Sequence, residues 1–271
     1  NVKREQDITG RVIPGGIKKT VKSRNGHSIY LTIDEVVQYI AERELEKAMK
    51  KHNISGATAL VMNPKNGALL ALANRPAFNP NQFSEFPQKN WRNRAISDSF
   101  EPGSTFKIIT TASSLEAGIV NKNDMFVDPG HLIVENEKIS CWKNGGHGPQ
   151  TFAEVVQNSC NPGFVQVGMR LGKKDFYKYI KGFGFGEETG VQLPGEAQGL
   201  VYDLPEIGPV ELATMSFGHG ITVTPIQLIT AVSAVANKGK LVRPRLVKKV
   251  VNQDNEIVEE IEPEILRQVV S

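Results

Sequence analysis

The sequence contains no apolar run long enough to cross a membrane. Its longest uninterrupted ones, such as residues 68–73, fall far short of the ~20 residues required. It also lacks a strong charge excess, because 32 Lys and Arg against 29 Asp and Glu leave a net charge of +3. No basic stripe with interleaved aromatics occurs, so nucleic acid is not an expected partner. The sequence begins at Asn1 without a Met, and its first residues do not have the pattern of a signal peptide. We therefore expect it to be a piece of a longer protein.

Helical and strand patterns are both present. The capping box Thr32-Ile-Asp-Glu35 predicts a helix that ends near Asn53, and apolar runs at 57–62 and 68–73 around a Pro-and-Gly turn predict a hairpin. Residues 121–150 are predicted to be irregular apart from a strand near 132–134. Further helices are predicted from residue 104, from 152, and over 164–171, 173–182, 209–216 and 225–237, with a strand over 241–251. This mixture indicates an α/β fold of the α+β layered kind.

Ser104-Thr-Phe-Lys107 is the first candidate for chemistry. A spacing of three on a helix places the hydroxyl and the amine on one face. A serine hydroxyl is a weak nucleophile until a base takes its proton, and a lysine kept neutral by desolvation is such a base. From these local features alone, a serine N-cap followed by an exposed lysine explains the pattern slightly better.

The same four-residue pattern recurs at Ser140-Cys-Trp-Lys143, but glycines follow it and no helix carries the pair. A second candidate is Ser159-Cys-Asn161, where Pro162 breaks a helix. A hydroxyl and an amide two residues apart can relay a proton and bind a substrate amide. The alternative is a helix C-cap followed by the first-turn proline of the next helix.

Taken together and in this order, these segments resemble the penicillin-binding proteins. Glu101-Pro-Gly-Ser-Thr-Phe-Lys107 is similar to the family's first active-site motif, and Gln157-Asn-Ser-Cys-Asn-Pro162 is similar to its second. Phe217-Gly-His-Gly-Ile-Thr-Val-Thr-Pro225 resembles the stretch before the third. The resemblance covers nearly the whole chain and is greatest to monofunctional, class B members. The run Cys-Trp-Lys-Asn-Gly-Gly-His-Gly at 141–148 favours the sporulation type.

The resemblance implies a penicillin-binding protein/serine β-lactamase-like fold and a D,D-transpeptidase that cross-links peptidoglycan without a cofactor. Residues 29–271 would form the transpeptidase domain, and residues 1–28 would be a linker or the edge of a non-catalytic module. Ser104 would be acylated by a stem peptide, or irreversibly by a β-lactam, and Lys107 would accept its proton. Ser159 would pass a proton to the leaving D-Ala. The substrate-binding residues implied are Ser104, Asn161, Gly218 and Gly220, with Asn161 holding the substrate amide.

The implied partners are stem peptides, the lipid-linked precursor polymer that carries them, and a membrane glycosyltransferase. The implied location is the extracytoplasmic face of the cell membrane, with an N-terminal transmembrane anchor outside this chain.

One feature departs from the family. Its third motif, Lys-Ser/Thr-Gly, occurs nowhere in the 271 residues. We therefore expect a C-terminally incomplete domain that is acylated poorly by itself. Two alternatives stay open: a D,D-carboxypeptidase or serine β-lactamase in which water is the acceptor, and an inactive binding or scaffold module.

The chain has only two cysteines, Cys141 and Cys160, which excludes a disulfide framework and permits one bridge or one metal site. One hypothesis is a disulfide that gates the active site. Another is a structural zinc held by both cysteines and His147, with Asp128 or His219 as the fourth ligand. The third is two unrelated buried thiols.

Overall fold

A computed structural model of the protein describes residues 2–16, 18–20 and 25–271. The chain forms two compact units. The first unit comprises Asn1–Leu31 and Val247–Ile261, and the second comprises Thr32–Leu246 and Glu262–Ser271. The predicted domain boundary after residue 28 stays a prediction. Across the described ranges, every helix is too short or too polar to span a bilayer.

Strands and helices are intermixed along the chain. The strands are β1 (Val2–Arg4), β2 (Lys18–Thr20), β3 (Ser28–Leu31), β4 (Ala57–Met62), β5 (Leu69–Arg75), β6 (Met125–Asp128), β7 (His131–Val134), β8 (Glu137–Ser140), β9 (Gly148–Thr151), β10 (Lys240–Val242), β11 (Val247–Val251), β12 (Ile257–Glu260) and β13 (Ile265–Gln268). The helices are α1 (Glu35–His52), α2 (Arg94–Ser97), α3 (Lys107–Glu116), α4 (Phe152–Gln157), α5 (Asn161–Gly182), α6 (Pro209–Met215) and α7 (Pro225–Ala236).

Within the first unit, β1 pairs with β2, and β11 lies between β3 and β12. All of these pairings are antiparallel. The Lys249 ammonium lies 4.7 Å from the centroid of the Tyr30 ring, on the neighbouring strand.

In the second unit, β4 and β5 form the predicted hairpin, and α1 packs against it. The N-cap of the first helix lies two residues later than predicted. Asp34 is its N-cap and accepts the backbone N–H groups of Val36 and Val37. The Thr32 hydroxyl lies instead against the carbonyls of Leu69 and Arg245, to which it donates at 2.7 and 3.0 Å.

The other predictions for this unit were mostly right. Helices α6 and α7 lie where they were predicted, and the two helices predicted over 164–182 form the single element α5, which departs from helical geometry at Gly172. The prediction of an irregular segment over 121–150 was wrong beyond 132–134, because β6 to β9 lie there in two antiparallel pairs. The strand predicted over 241–251 is divided into β10 and β11.

Three buried apolar clusters form the core of the second unit. The first joins α3, α5, α6 and α7, the second lies around β6, α4 and the start of α5, and the third lies between the hairpin, α2 and α7. Phe106, just before α3, and Phe164, in the first turn of α5, are both fully buried. The first two clusters therefore fix the start of α3 and the junction between α4 and α5.

The backbone of the loop between α6 and α7 is in direct contact with the backbone of the turn before α3. The N–H of Gly103 donates to the carbonyl of Gly218 at 3.0 Å. Gly218 has φ +86°, in the left-handed region, and a Cβ there would overlap the carbonyl oxygen of Gly103. Only glycine permits both the backbone conformation and the close approach.

We expect Gly218→Ala to destabilise the protein more than the matched control Gly195→Ala. Gly195 has a similar φ of +80°, but no atom lies within 4 Å of the position that a Cβ would take there. Both variants incur the left-handed cost of about 1 kcal/mol. Gly218→Ala also incurs an overlap of about 1–3 kcal/mol. Urea unfolding measures both free energies, and equal losses would contradict the close approach.

Candidate active site

Ser104 lies in a 3₁₀ turn, Gly103–Phe106, that leads directly into α3. Its side chain is exposed, whereas Lys107 is only 5% exposed. Between them, the buried ring of Phe106 packs against Phe176 and Phe185, with centroids 6.4 and 5.2 Å apart. This packing anchors the turn on the core. The lysine amine is therefore buried, while the serine above it remains accessible.

The Lys107 amine is surrounded by oxygen atoms from both predicted motifs. Its Nζ lies 3.2 Å from Ser104 Oγ, 3.0 Å from Ser159 Oγ and 2.7 Å from Asn161 Oδ1. It also lies 2.8 Å from the carbonyl oxygen of Ser159. The structure therefore brings together the four residues that the sequence analysis singled out as catalytic.

The neutral form of the amine is favoured by burial and not by these contacts. The four oxygens around Lys107 are enough to accept all three N–H groups of an ammonium. A neutral amine donates twice and offers a lone pair to a serine hydroxyl. Burial lowers the pKa of Lys107 to about 8, although the nearby Cys160 and Cys141 act in the opposite direction. The ring of Phe164 lies 5.3 Å from the amine.

The junction between α4 and α5 positions Ser159 and Asn161. Helix α4 begins with the predicted capping box of Thr151 and Glu154. Ser159 then takes a left-handed φ of 49°, and the next helix starts with Pro162 in its first turn. The alternative interpretation of this segment, a helix end followed by a first-turn proline, is thus also correct. The break itself points both side chains at Lys107.

Gly218 and Gly220 lie against the residues that precede Ser104. Besides the contact between Gly218 and Gly103, the N–H of Gly220 donates to Glu101 Oε1 at 2.8 Å. These glycines support the turn that carries the serine, and a direct substrate contact by them stays a prediction. Glu101 had no role in the sequence analysis, although it belongs to the first motif.

A cavity of about 360 Å³ opens beside Ser104 and Lys107. It continues along α3 past Thr111 and Leu115, and Ser159 forms part of its wall. Ser104 therefore borders a space large enough for part of a peptide.

A second polar cluster lies directly behind the junction. Asp128, Cys141, His147 and Cys160 bring their ligand atoms within 4.8 Å of one another, and both cysteines are free thiols. Asp128 Oδ2 lies 2.9 Å from His147 Nδ1 and 3.3 Å from the Cys160 sulfur. Of the two predicted fourth ligands, the structure brings Asp128 to this group. The ring of His219 packs on Phe217 instead.

The protonation of this cluster follows from its burial and its hydrogen bonds. Burial opposes charge on Asp128, but hydrogen bonds from Cys141, His147 and backbone N–H groups outweigh it and hold the pKa of Asp128 well below its usual range. Burial raises the pKa of Cys160 to about 12 and also raises the pKa of Cys141. Without a cation, therefore, the carboxylate is charged and both thiols keep their protons.

Comparison with known proteins agrees with this geometry. Residues 57–271 match the family described as the penicillin binding protein transpeptidase domain. Stage V sporulation protein D of Bacillus subtilis is 48% identical over 92% of this chain and 39% of its own length. Peptidoglycan D,D-transpeptidase FtsI of Escherichia coli is 33% identical over 90% of this chain and 41% of its own length. The chain thus spans about two fifths of the curated relatives it matches.

The solved structures confirm the predicted fold. Penicillin binding protein 3 of Mycobacterium tuberculosis, complexed with aztreonam, superposes with a TM-score of 0.86 and 28% identity. The match covers 99% of this chain and 62% of that one. Sequence, fold and the convergence of two serines, a lysine and an asparagine lead to one conclusion: the chain belongs to the penicillin-binding protein transpeptidase family.

Proposed function

We propose that this chain supplies the serine nucleophile of a peptidoglycan D,D-transpeptidase. The observation that carries the proposal is the position of Lys107 Nζ, within 3.2 Å of Ser104 Oγ and 3.0 Å of Ser159 Oγ. A base in contact with two hydroxyls can take a proton from the first and return one through the second. The name of the FtsI relative supports the same reaction.

In the acylation step, Ser104 Oγ attacks the carbonyl carbon of the penultimate D-Ala of a stem peptide while Lys107 Nζ takes its proton. The tetrahedral intermediate collapses and the bond to the terminal D-Ala breaks. The amine of the leaving D-Ala receives a proton through Ser159, and an ester on Ser104 remains. The amide of Asn161, 2.7 Å from Lys107, is suitably placed to orient the substrate backbone.

In the transfer step, the amine of a neighbouring stem attacks this ester. A new amide forms, the amine loses a proton to the base, and Ser104 Oγ leaves as a restored hydroxyl. Such acceptors belong to the growing, lipid-linked polymer outside the cell membrane. We therefore propose that location, with a membrane glycosyltransferase as a working partner. A β-lactam would stop the cycle at the ester.

We further propose that Asp128, Cys141, His147 and Cys160 hold a structural zinc ion. A tetrahedral zinc with bonds of about 2.0–2.3 Å separates its ligand atoms by roughly 3.3–3.8 Å. That spacing suits a group whose ligand atoms lie within 4.8 Å. A charged carboxylate beside two thiols is also a donor set that a cation would complete, with release of the thiol protons. Coordination of Cys160 would fix its neighbours Ser159 and Asn161.

We expect Ser104→Ala in the full-length protein to abolish covalent labelling by a fluorescent penicillin and the formation of cross-linked product. Ser140→Ala is the matched control, because Ser140 begins the same four-residue pattern on strand β8. It should keep both activities. D-Ala release without cross-links would show that water is the acceptor. Absence of labelling in the unmutated full-length protein would show an inactive module.

We expect the acylation rate to rise with pH up to about 8 and then to level off. The pKa of Lys107 is lowered to about 8 by burial, so the amine is mostly protonated below that pH and cannot act as the base. The rate should fall about tenfold for each pH unit below the pKa. Stopped-flow acylation between pH 6 and 9.5 measures this profile. A rate independent of pH over this range would contradict a proton acceptor with a pKa of about 8.

We expect one zinc per chain by metal analysis of the full-length protein. Asp128→Asn and Cys160→Ser should each lose the metal, because each removes a ligand. His219→Gln is the matched control and should retain it. The two thiols should react with a thiol reagent only after chelation. If they react only after reduction, the disulfide hypothesis is right, and if they react at once without metal, neither hypothesis holds.

A further inference from the structure

Trp142 is held in place although its side chain is 67% exposed. Its indole Nε1 donates a hydrogen bond to the carbonyl of Asn158 at 2.8 Å. Its ring meets the imidazole of His147 edge to face, with centroids 5.4 Å apart. Because most of its surface is exposed, this ring contributes little to core packing, and the hydrogen bond of its N–H is its main polar contact.

The carbonyl of Asn158, which accepts this hydrogen bond, lies at the C-terminal end of α4 and receives no N–H from within the helix. The last carbonyls of a helix lack the N–H of residue i+4. Four residues after Asn158 stands Pro162, which has no N–H to give. The indole N–H of Trp142 takes the place of the backbone N–H that Pro162 lacks.

The peptide group that contains this carbonyl links Asn158 to Ser159. Its orientation is coupled to the φ angle of Ser159, which is 49°. A residue with a side chain rarely occupies that region, and surrounding contacts must hold it there. The conformation matters because both the hydroxyl and the carbonyl of Ser159 meet the amine of Lys107, at 3.0 and 2.8 Å.

We propose that Trp142 is a positioning residue for Ser159. Its N–H fixes the peptide between Asn158 and Ser159, and this holds the Ser159 hydroxyl on Lys107. The inference rests on the proposed function, because it assigns Trp142 a part in the proton transfer that Ser159 performs. Trp142 acts on the rate of acylation and leaves affinity for the acylating ligand largely unchanged.

The test is Trp142→Phe in the full-length protein, which removes the N–H and keeps an aromatic ring. Acylation by a chromogenic cephalosporin is resolved into the binding constant and the acylation rate constant. We expect the rate constant to fall about five- to twentyfold, the size of one lost hydrogen bond that orients a catalytic group. The binding constant should change less than twofold.

Trp91→Phe is the matched control. Its indole N–H also donates to a backbone carbonyl, that of Phe83 at 3.1 Å, and its ring is also partly exposed. This variant should acylate at the unmutated rate. An equal loss in both variants would mean that any tryptophan-to-phenylalanine change has this effect, and would overturn the proposal.

The same substitution made in a Ser159→Ala variant distinguishes a positioning role of Trp142 from general structural damage. In Ser159→Ala the hydroxyl to be positioned is gone, so adding Trp142→Phe should cause no further loss. A further loss of the same size overturns the proposal. If Ser159→Ala alone leaves the acylation rate unchanged, the proposed role of Ser159 fails first. If Ser159→Ala is slow but Trp142→Phe is not, only the inference about Trp142 fails.

Should Trp142→Phe fold poorly, β-(3-benzothienyl)alanine incorporated at position 142 keeps the two-ring shape and replaces only the N–H by sulfur. The same fall in rate at an unchanged melting temperature supports the proposal. An unchanged rate overturns it.

Discussion

The active site depends on the buried amine of Lys107, which is 5% exposed and must be met by oxygen atoms. A buried polar group without partners costs about 1–3 kcal/mol. A continuous helix through residues 158–162 could not supply these partners, because residues two apart point to nearly opposite faces of a helix. The left-handed Ser159 and the new helix start at Pro162 solve this problem. They turn Ser159 and Asn161 toward the same amine, at 3.0 and 2.7 Å.

The same junction between α4 and α5 also contributes a buried side chain, that of Cys160, to the cluster around Asp128. Cys160 stands between the two residues that contact Lys107, yet its sulfur lies 3.3 Å from Asp128 on the other side of the backbone. Three consecutive residues therefore connect the buried amine of Lys107 with a buried cluster of a carboxylate and two thiols. Both sides are closed by apolar packing in one core cluster, which includes Phe152 and Phe164. Cys160 is fully buried in this cluster, directly beside the two residues that contact Lys107.

Local features could be predicted from the sequence, and packing could not. Helix spacing was enough to place Ser104 and Lys107 on one face, although local features alone slightly favoured an exposed lysine. Turn chemistry was enough for the β4–β5 hairpin. The contact between Lys107 and Ser159 joins residues 52 apart, and it exists because Phe106 and Phe164 are buried in adjoining clusters. The strands β6 to β9 have four residues each, too few for periodicity to distinguish them from loops. Nothing in the spacing of a cysteine pair could decide between Asp128 and His219 as its neighbour.

The two copies of one sequence pattern show what the packing decides. Both Ser104-Thr-Phe-Lys107 and Ser140-Cys-Trp-Lys143 have the order serine, any residue, aromatic, lysine. In the first copy, the aromatic Phe106 is fully buried, and the lysine that follows it is buried as well. In the second, Trp142 stays 67% exposed, and Ser140 ends a strand. The strand places its polar groups differently: the carbonyl of Ser140 accepts a hydrogen bond from Asn161, and the indole of Trp142 donates to Asn158. One copy thus places a serine hydroxyl against a buried amine, while the other forms two hydrogen bonds with the segment that contains Ser159 and Asn161.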